Sequence, residues 1–318
     1  LRDALLLESE SEQRLRNLHR AIAAFLSSET DQDLSRDLRC GEHLLAAGDH
    51  DVAFELLLKA EASARKSGND LVAERALELA DRASAGISNE RLAVHELNLQ
   101  QRKADLMRLR GEWDNAHKAA VELEASALMA DNAEALVLAL RIQAECAFEH
   151  GHYPEASDFA LRAQVAAQDS SDLEEAIRCE LLLGLIFGAQ SNWDQAISFY
   201  EAALARINKS CPGHHELQGE CLFHLGMVHH ERGVLAKALP LFIKSLQHWE
   251  KCGGQRGMAT VANALADVAR GQGRMDRAMD WYRRAKKVYD SIGAWQANIV
   301  RLNLAIVMML DDHFEEAH

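Results

Sequence analysis

Apolar residues recur along the chain at spacings of three and four, in stretches several helical turns long. Short polar breaks rich in Gly, Asn and Asp separate them. Aligned on those breaks, six segments fall into register: Gly111-Glu-Trp-Asp-Asn-Ala116, Gly151-His-Tyr-Pro-Glu-Ala156, Ser191-Asn-Trp-Asp-Gln-Ala196, Gly233-Val-Leu-Ala-Lys-Ala238, Gly273-Arg-Met-Asp-Arg-Ala278 and Asp312-His-Phe-Glu-Glu-Ala317. Their first residues are 40, 40, 42, 40 and 39 apart. Each holds a turn residue, a bulky apolar residue two later and Ala five later. The pattern predicts a helix ended by Gly in the left-handed conformation and a second helix capped by an Asp- or Asn-like residue. The bulky residue then plugs the corner, and the Ala allows the two helices to close together.

Further positions repeat. Seven residues before each turn stands Ala104, Ala144, Gly184, Gly226, Ala266 or Ala305. Tyr200, Phe242 and Tyr282 lie four residues after the Ala, and Ala163, Ala203, Ser245 or Ala285 seven after it. Small residues where helices cross, with large ones between them, describe a close-packed helical hairpin. Upstream, Gly48-Asp-His-Asp-Val-Ala53 and Gly68-Asn-Asp-Leu-Val-Ala73 match after only 20 residues. Helix 50–67 is therefore expected to serve two successive pairs. The expected organisation is an N-terminal helical segment over 1–30, the end of a missing upstream module. A repeat array over 31–318 follows, irregular over 31–92 and regular over 93–318. It breaks off within a second helix, just after Ala317. The reading accordingly expects truncation there, and self-association through an uncapped apolar end.

Composition agrees with helix and narrows the function. Of 318 residues 48% are hydrophobic and only three are proline, so nothing opposes long helices. A formal net charge of −14 with no Lys/Arg-rich run argues against nucleic acid and anionic membrane surfaces as partners. Six unpatterned cysteines with no C-x-x-C pair read as a reduced, cytoplasmic protein. No apolar run reaches the length of a membrane span.

The small, small, aromatic, Ala pattern from about 97 to 317 resembles the tetratricopeptide repeat. Its usual period of about 34 is exceeded here by roughly six residues. The resemblance implies an all-α, right-handed superhelical solenoid of antiparallel helix pairs. Leu18-His-Arg-Ala-Ile-Ala23, followed by His43-Leu-Leu-Ala-Ala-Gly-Asp49, resembles the junction to the helical-repeat arm of bacterial signal-transduction ATPases. It implies an interaction or sensor arm in a larger regulatory protein.

Catalytic chemistry is not visible. Phosphate-loop, dinucleotide, zinc-protease and nucleophile-elbow motifs are missing, and no acid, base and nucleophile converge. No cofactor is expected and the chain is not expected to be an enzyme. Gly253-Gly-Gln-Arg-Gly257 falls where a loop between repeats belongs. Cys211, His214, His215, Cys221, His224, His229 and His230 lie close in sequence but match no metal-ligand spacing, so no metal is expected.

First helices line the concave face of such solenoids. Their inward positions, read from the register, form the candidate binding groove. These are Arg102 and Asp105, then Arg141, Glu145 and Phe148, then Arg178 and Leu181. Phe223, His224, Met227 and His230 follow, and finally Asn263, Asp267 and Arg270. An apolar centre with a charged rim suits a protein or peptide. The expected function is a peptide-binding scaffold. The alternative is a small-effector sensor arm gating an attached ATPase, kinase, cyclase or transcription regulator.

Overall fold

The structure is a computed structural model that describes residues 2–28, 35–87, 89–169 and 173–310. Among the described residues there are fifteen helices and no strand. They are α1 (Arg2–Ser28), α2 (Arg36–Ala47), α3 (His50–Lys66), α4 (Asp70–Ser84), α5 (Asn89–Leu109), α6 (Trp113–Met129), α7 (Ala133–Glu149) and α8 (Tyr153–Asp169). The remainder are α9 (Leu173–Ala189), α10 (Trp193–Ser210), α11 (His215–Glu231), α12 (Leu235–Cys252), α13 (Gln255–Gly271), α14 (Met275–Ser291) and α15 (Ala297–Leu310). The chain divides into two compact units, Leu1–Leu106 and Met107–His318.

In the first unit α3 packs against both α2 and α4, the double role read from the 20-residue step. Phe54, Leu57, Leu77 and Leu99 form its buried core. Helix α1 lies along α2, held by Arg20 to Asp49 at 2.6 Å and by the Cys40 thiol donating to the Ala23 carbonyl. The N-terminal segment is thus an integral helix of this unit.

The second unit is a solenoid of antiparallel hairpins, α7–α8, α9–α10, α11–α12 and α13–α14, with α15 packed on α14. One turn recurs inside each hairpin. The residue before the second helix donates its N–H to a carbonyl five residues back: His152 to Ala147, Asn192 to Phe187, Val234 to His229 and Arg274 to Ala269, all at 2.8–2.9 Å. This bond needs a left-handed residue just before it, supplied by Gly151, Gly233 and Gly273, and at one turn by Ser191 with φ 61. The side-chain caps expected on the second helices are not made at Glu112, Asn192, Val234 or Arg274. The backbone turn already fixes the chain direction. Side-chain caps occur instead on first helices, where Asn132 accepts from Ala135 N and His214 from Leu217 N.

Within hairpins, volume is exchanged across the helix crossing. A Cβ built on Gly184 would stand 2.7 Å from the Tyr200 ring, and one on Gly226 equally close to Phe242. Where the first position is Ala144, the partner position is Ala160, and both are fully buried. Where there is bulk at this crossing the second helix supplies it, and the first helix stays small. Of the segment 253–257, Gly253 and Gly254 form the expected connection between repeats, while Gln255 to Gly257 already belong to the first turn of α13, with Gly257 under the Trp249 indole. The two ends of this unit also meet. Arg256 donates to the Leu109 carbonyl at 3.2 Å, and Gly111 lies against the Trp295 indole. On α15, Val300, Val307 and Met308 are buried while Ile299, Leu302, Met309 and Leu310 are exposed. Phe314 and Ala317 lie outside the described residues.

Candidate functional site on the first helices

The first helices of the second unit carry a continuous series of ion pairs. Arg108 donates to Glu145 at 3.0 Å; Arg141 pairs with Glu145 one turn along α7 and with Glu175 on α9 at 2.6 Å. Arg178 on α9 then reaches Glu174 and Glu220 at 2.7 Å and Glu216 at 3.3 Å. His214, at the start of α11, lies 3.1 Å from Glu174. From Arg108 onward, one face of α7, α9 and α11 is thereby stitched together by charge.

Burial separates the groove candidates into two groups. Arg141 is 4% exposed and Leu181 2%, with Leu181 in the core beside Ile177 and Tyr200. Leu181, read as a groove position, is instead a core residue that packs one repeat on the next. Glu145, Phe148, Arg178, Phe223, His224, Met227 and His230 are half-buried, open enough to touch a ligand. Phe223 and His224 meet edge to face, with centroids 5.3 Å apart, and His224 stacks on Tyr200 at 5.6 Å. Further along, Asp267 accepts from Tyr282 at 2.6 Å and Arg270 at 3.0 Å, and Asn263 receives a bond from Asn303. Arg102 and Asp105 belong to the first unit: Arg102 pairs with the fully buried Glu61, and Arg65 binds Asp105 at 2.5 Å. The structure thus gathers most of the α7, α9 and α11 candidates on one charged face and places Arg102 and Asp105 in another unit.

Sequence reasoning missed Glu174, Glu175, Glu216 and His214, which complete the charged series. Their signal was the i,i+4 pairing of Glu174 with Arg178 and of Arg141 with Glu145. The neighbouring His and Cys residues are used in packing. The Cys221 thiol donates to the Tyr200 carbonyl, and burial pushes it up to about 12. His215 contacts His248 at 3.2 Å. Among the described residues no three such groups could hold a metal ion.

Burial would lower the Arg178 pKa, but Glu220 and Glu174 outweigh it and hold the guanidinium above its usual value. For His224, burial wins over Glu220 and Glu145 and lowers the pKa. Folding then favours the neutral ring. Its contribution to stability is complete above the unfolded imidazole pKa of about 6.5 and is lost as pH falls below it. The thermal midpoint is expected to drop between about pH 7 and 5, and His224→Gln to flatten part of that drop. Identical pH profiles for the two proteins would contradict it.

Residues 175–239 and 220–291 match the tetratricopeptide repeat family. No curated protein matches the chain in sequence. Among solved structures, the apo form of RapI is 13% identical, with a TM-score of 0.64 over 87% of this chain and 98% of that one. NprR in complex with its cognate peptide NprX is 14% identical, with a TM-score of 0.56 over 97% of this chain and 81% of NprR. A signal transduction ATPase with a tetratricopeptide repeat sensor, from Pyrococcus horikoshii, is 14% identical. Its TM-score is 0.50, over 94% of this chain and 50% of that protein. At these identities the likeness is one of fold.

Proposed function

Because residues 175–239 and 220–291 match the tetratricopeptide repeat family, we propose that the chain is a peptide- or protein-binding scaffold whose binding face is that of α7, α9 and α11. The observation that carries this is the half-buried row of Phe148, Phe223, His224, Met227 and His230 beside the Arg141–Arg178 ion-pair series. Aromatic and thioether side chains that stay accessible beside fixed charges are the usual anchors of a bound peptide. NprR, similar in fold, was solved in complex with its cognate peptide, and the P. horikoshii protein is described as having a tetratricopeptide repeat sensor. Both support a role as the interaction or sensor arm of a regulatory protein, rather than a catalyst. A cytoplasmic setting fits the six free cysteines. Among the described residues no helix is long and apolar enough to cross a membrane.

The test is a selection of linear peptides displayed on phage against the full chain. Selected peptides are expected to lose affinity by about tenfold or more on Phe223→Ala and Met227→Lys, a scale typical of central anchors. They should keep it on Leu161→Lys, whose site lies on α8. Peptides indifferent to both first-helix variants would move the binding face elsewhere.

A further inference from the structure

Outward-facing positions of the second helices are polar in most hairpins, as expected for a solvated surface. Ile243 on α12 is one exposed exception, and α6 and α8 depart further. Leu128 on α6 and Val165 on α8 are 62% and 63% exposed, and Leu161 is 52% exposed. In the same register, Leu128 corresponds to Asn208, Glu250 and Asp290 on α10, α12 and α14. Val165 likewise corresponds to Ala205, Gln247 and Lys287. The repeat fold therefore does not require apolar residues here. They line a cavity of about 560 Å³ between α6 and α8, closed at one end by the α6–α7 turn.

The cavity has a charged edge of one sign. Asp131 and Asp158 line it, and neither carboxylate has an ionic or hydrogen-bonding partner among the described residues. The one guanidinium on the lining, Arg162, is held by Glu124 at 2.5 Å. Asp131 also occupies a left-handed turn position, with φ 50, where the comparable turns before α13 and α15 use Gly253 and Gly293. The carboxylate is there although glycine would suit the backbone better.

We propose that this trough docks an amphipathic helix of a partner protein, with apolar anchors on one side and Lys or Arg flanking them. The apolar floor takes residues spaced i, i+3/i+4 and i+7, and the two unpaired carboxylates select positive flanks over negative ones. This surface lies on second helices and does not rest on the peptide face of α7, α9 and α11.

The test displays a library of Ala-based helices, with four anchor positions and both flanks randomised, and selects on the full chain. Enriched helices are expected to carry Leu, Ile, Met or Phe at the anchors and Lys or Arg at the flanks. They should bind about tenfold more weakly to Leu161→Lys, an exposed change that leaves the circular dichroism spectrum and thermal midpoint as they were. Asp131→Asn combined with Asp158→Asn keeps a residue that tolerates the left-handed turn, and should remove the preference for basic flanks and much of the salt dependence. Three results would overturn the proposal. One is no enrichment above the Leu161→Lys chain. Another is enriched helices that lack basic flanks or ignore these variants. The third is a wild-type dimer, seen in sedimentation, that Leu161→Lys dissolves; a second copy would then cover the trough.

Discussion

The Arg141→Met variant is expected to lose about 3 kcal/mol or more of stability, the scale measured when one partner of a buried ion pair is removed. Its guanidinium is almost fully buried and stands between Glu145 and Glu175. Without it, two carboxylates face each other across α7 and α9 with less cation between them, while their desolvation remains. A typical domain has only about 5–15 kcal/mol to lose, so much of the second unit should melt in mild urea. Repeat arrays can come apart in segments, so amide exchange is the informative readout alongside the urea midpoint. Protection should fall first in α7 and α9. Adding Glu175→Leu, which removes a carboxylate then left with the more distant Arg178 at 3.9 Å and leaves Glu145 to Arg108, should restore part of the loss. A single variant with the wild-type urea midpoint would show that the buried arginine stabilises nothing. Charge reversal at this position is therefore a probe of the fold, not of ligand binding.

A second large effect is expected where α9 crosses α10. Tyr200→Ala leaves a cavity in the core and should cost about 3–5 kcal/mol, as large-to-small changes of aromatic residues do. Gly184→Ala places a Cβ where the Tyr200 ring already lies and should cost about 1–3 kcal/mol through overpacking. The two together recreate the Ala144 and Ala160 arrangement that α7 and α8 already use. The double variant should then be more stable than the sum of the single losses predicts, by about 1–3 kcal/mol. Simple additivity would mean that the Gly–Tyr contact is incidental.

Much of this fold was readable because a repeat states its rules several times over. The Gly151, Gly233 and Gly273 turns, the buried Ala positions and the shared α3 all follow from register alone. The absent side-chain caps did not, because Asn192 and Glu112 look able to cap, and only the backbone turn shows that they need not. The charged face was half legible. Arg141 and Arg178 stood out on their helices, but an inward register position does not tell a side chain facing a ligand from one facing the next repeat. Burial settles that for Arg141 and Leu181. The α6–α8 trough was invisible to a search for what repeats, since its signal is a departure from the repeat at Leu128 and Val165.

The ion-pair series also has a direction. Arg108 reaches forward to Glu145, Arg141 to Glu175, and Arg178 to Glu216 and Glu220, so the arginine links between pairs run from one pair to the next in chain order. The α7 and α9 pairs each offer an acid to the predecessor and a base to the successor, as a plug and a socket. The Gly–aromatic fit, by contrast, is complete inside a pair. A pair could therefore be moved intact, but it would seat only between neighbours that present the matching charge. Two pairs joined head to head would instead set arginine against arginine, or glutamate against glutamate. During folding, this polarity discourages inverted stacking among pairs whose apolar surfaces are otherwise nearly interchangeable.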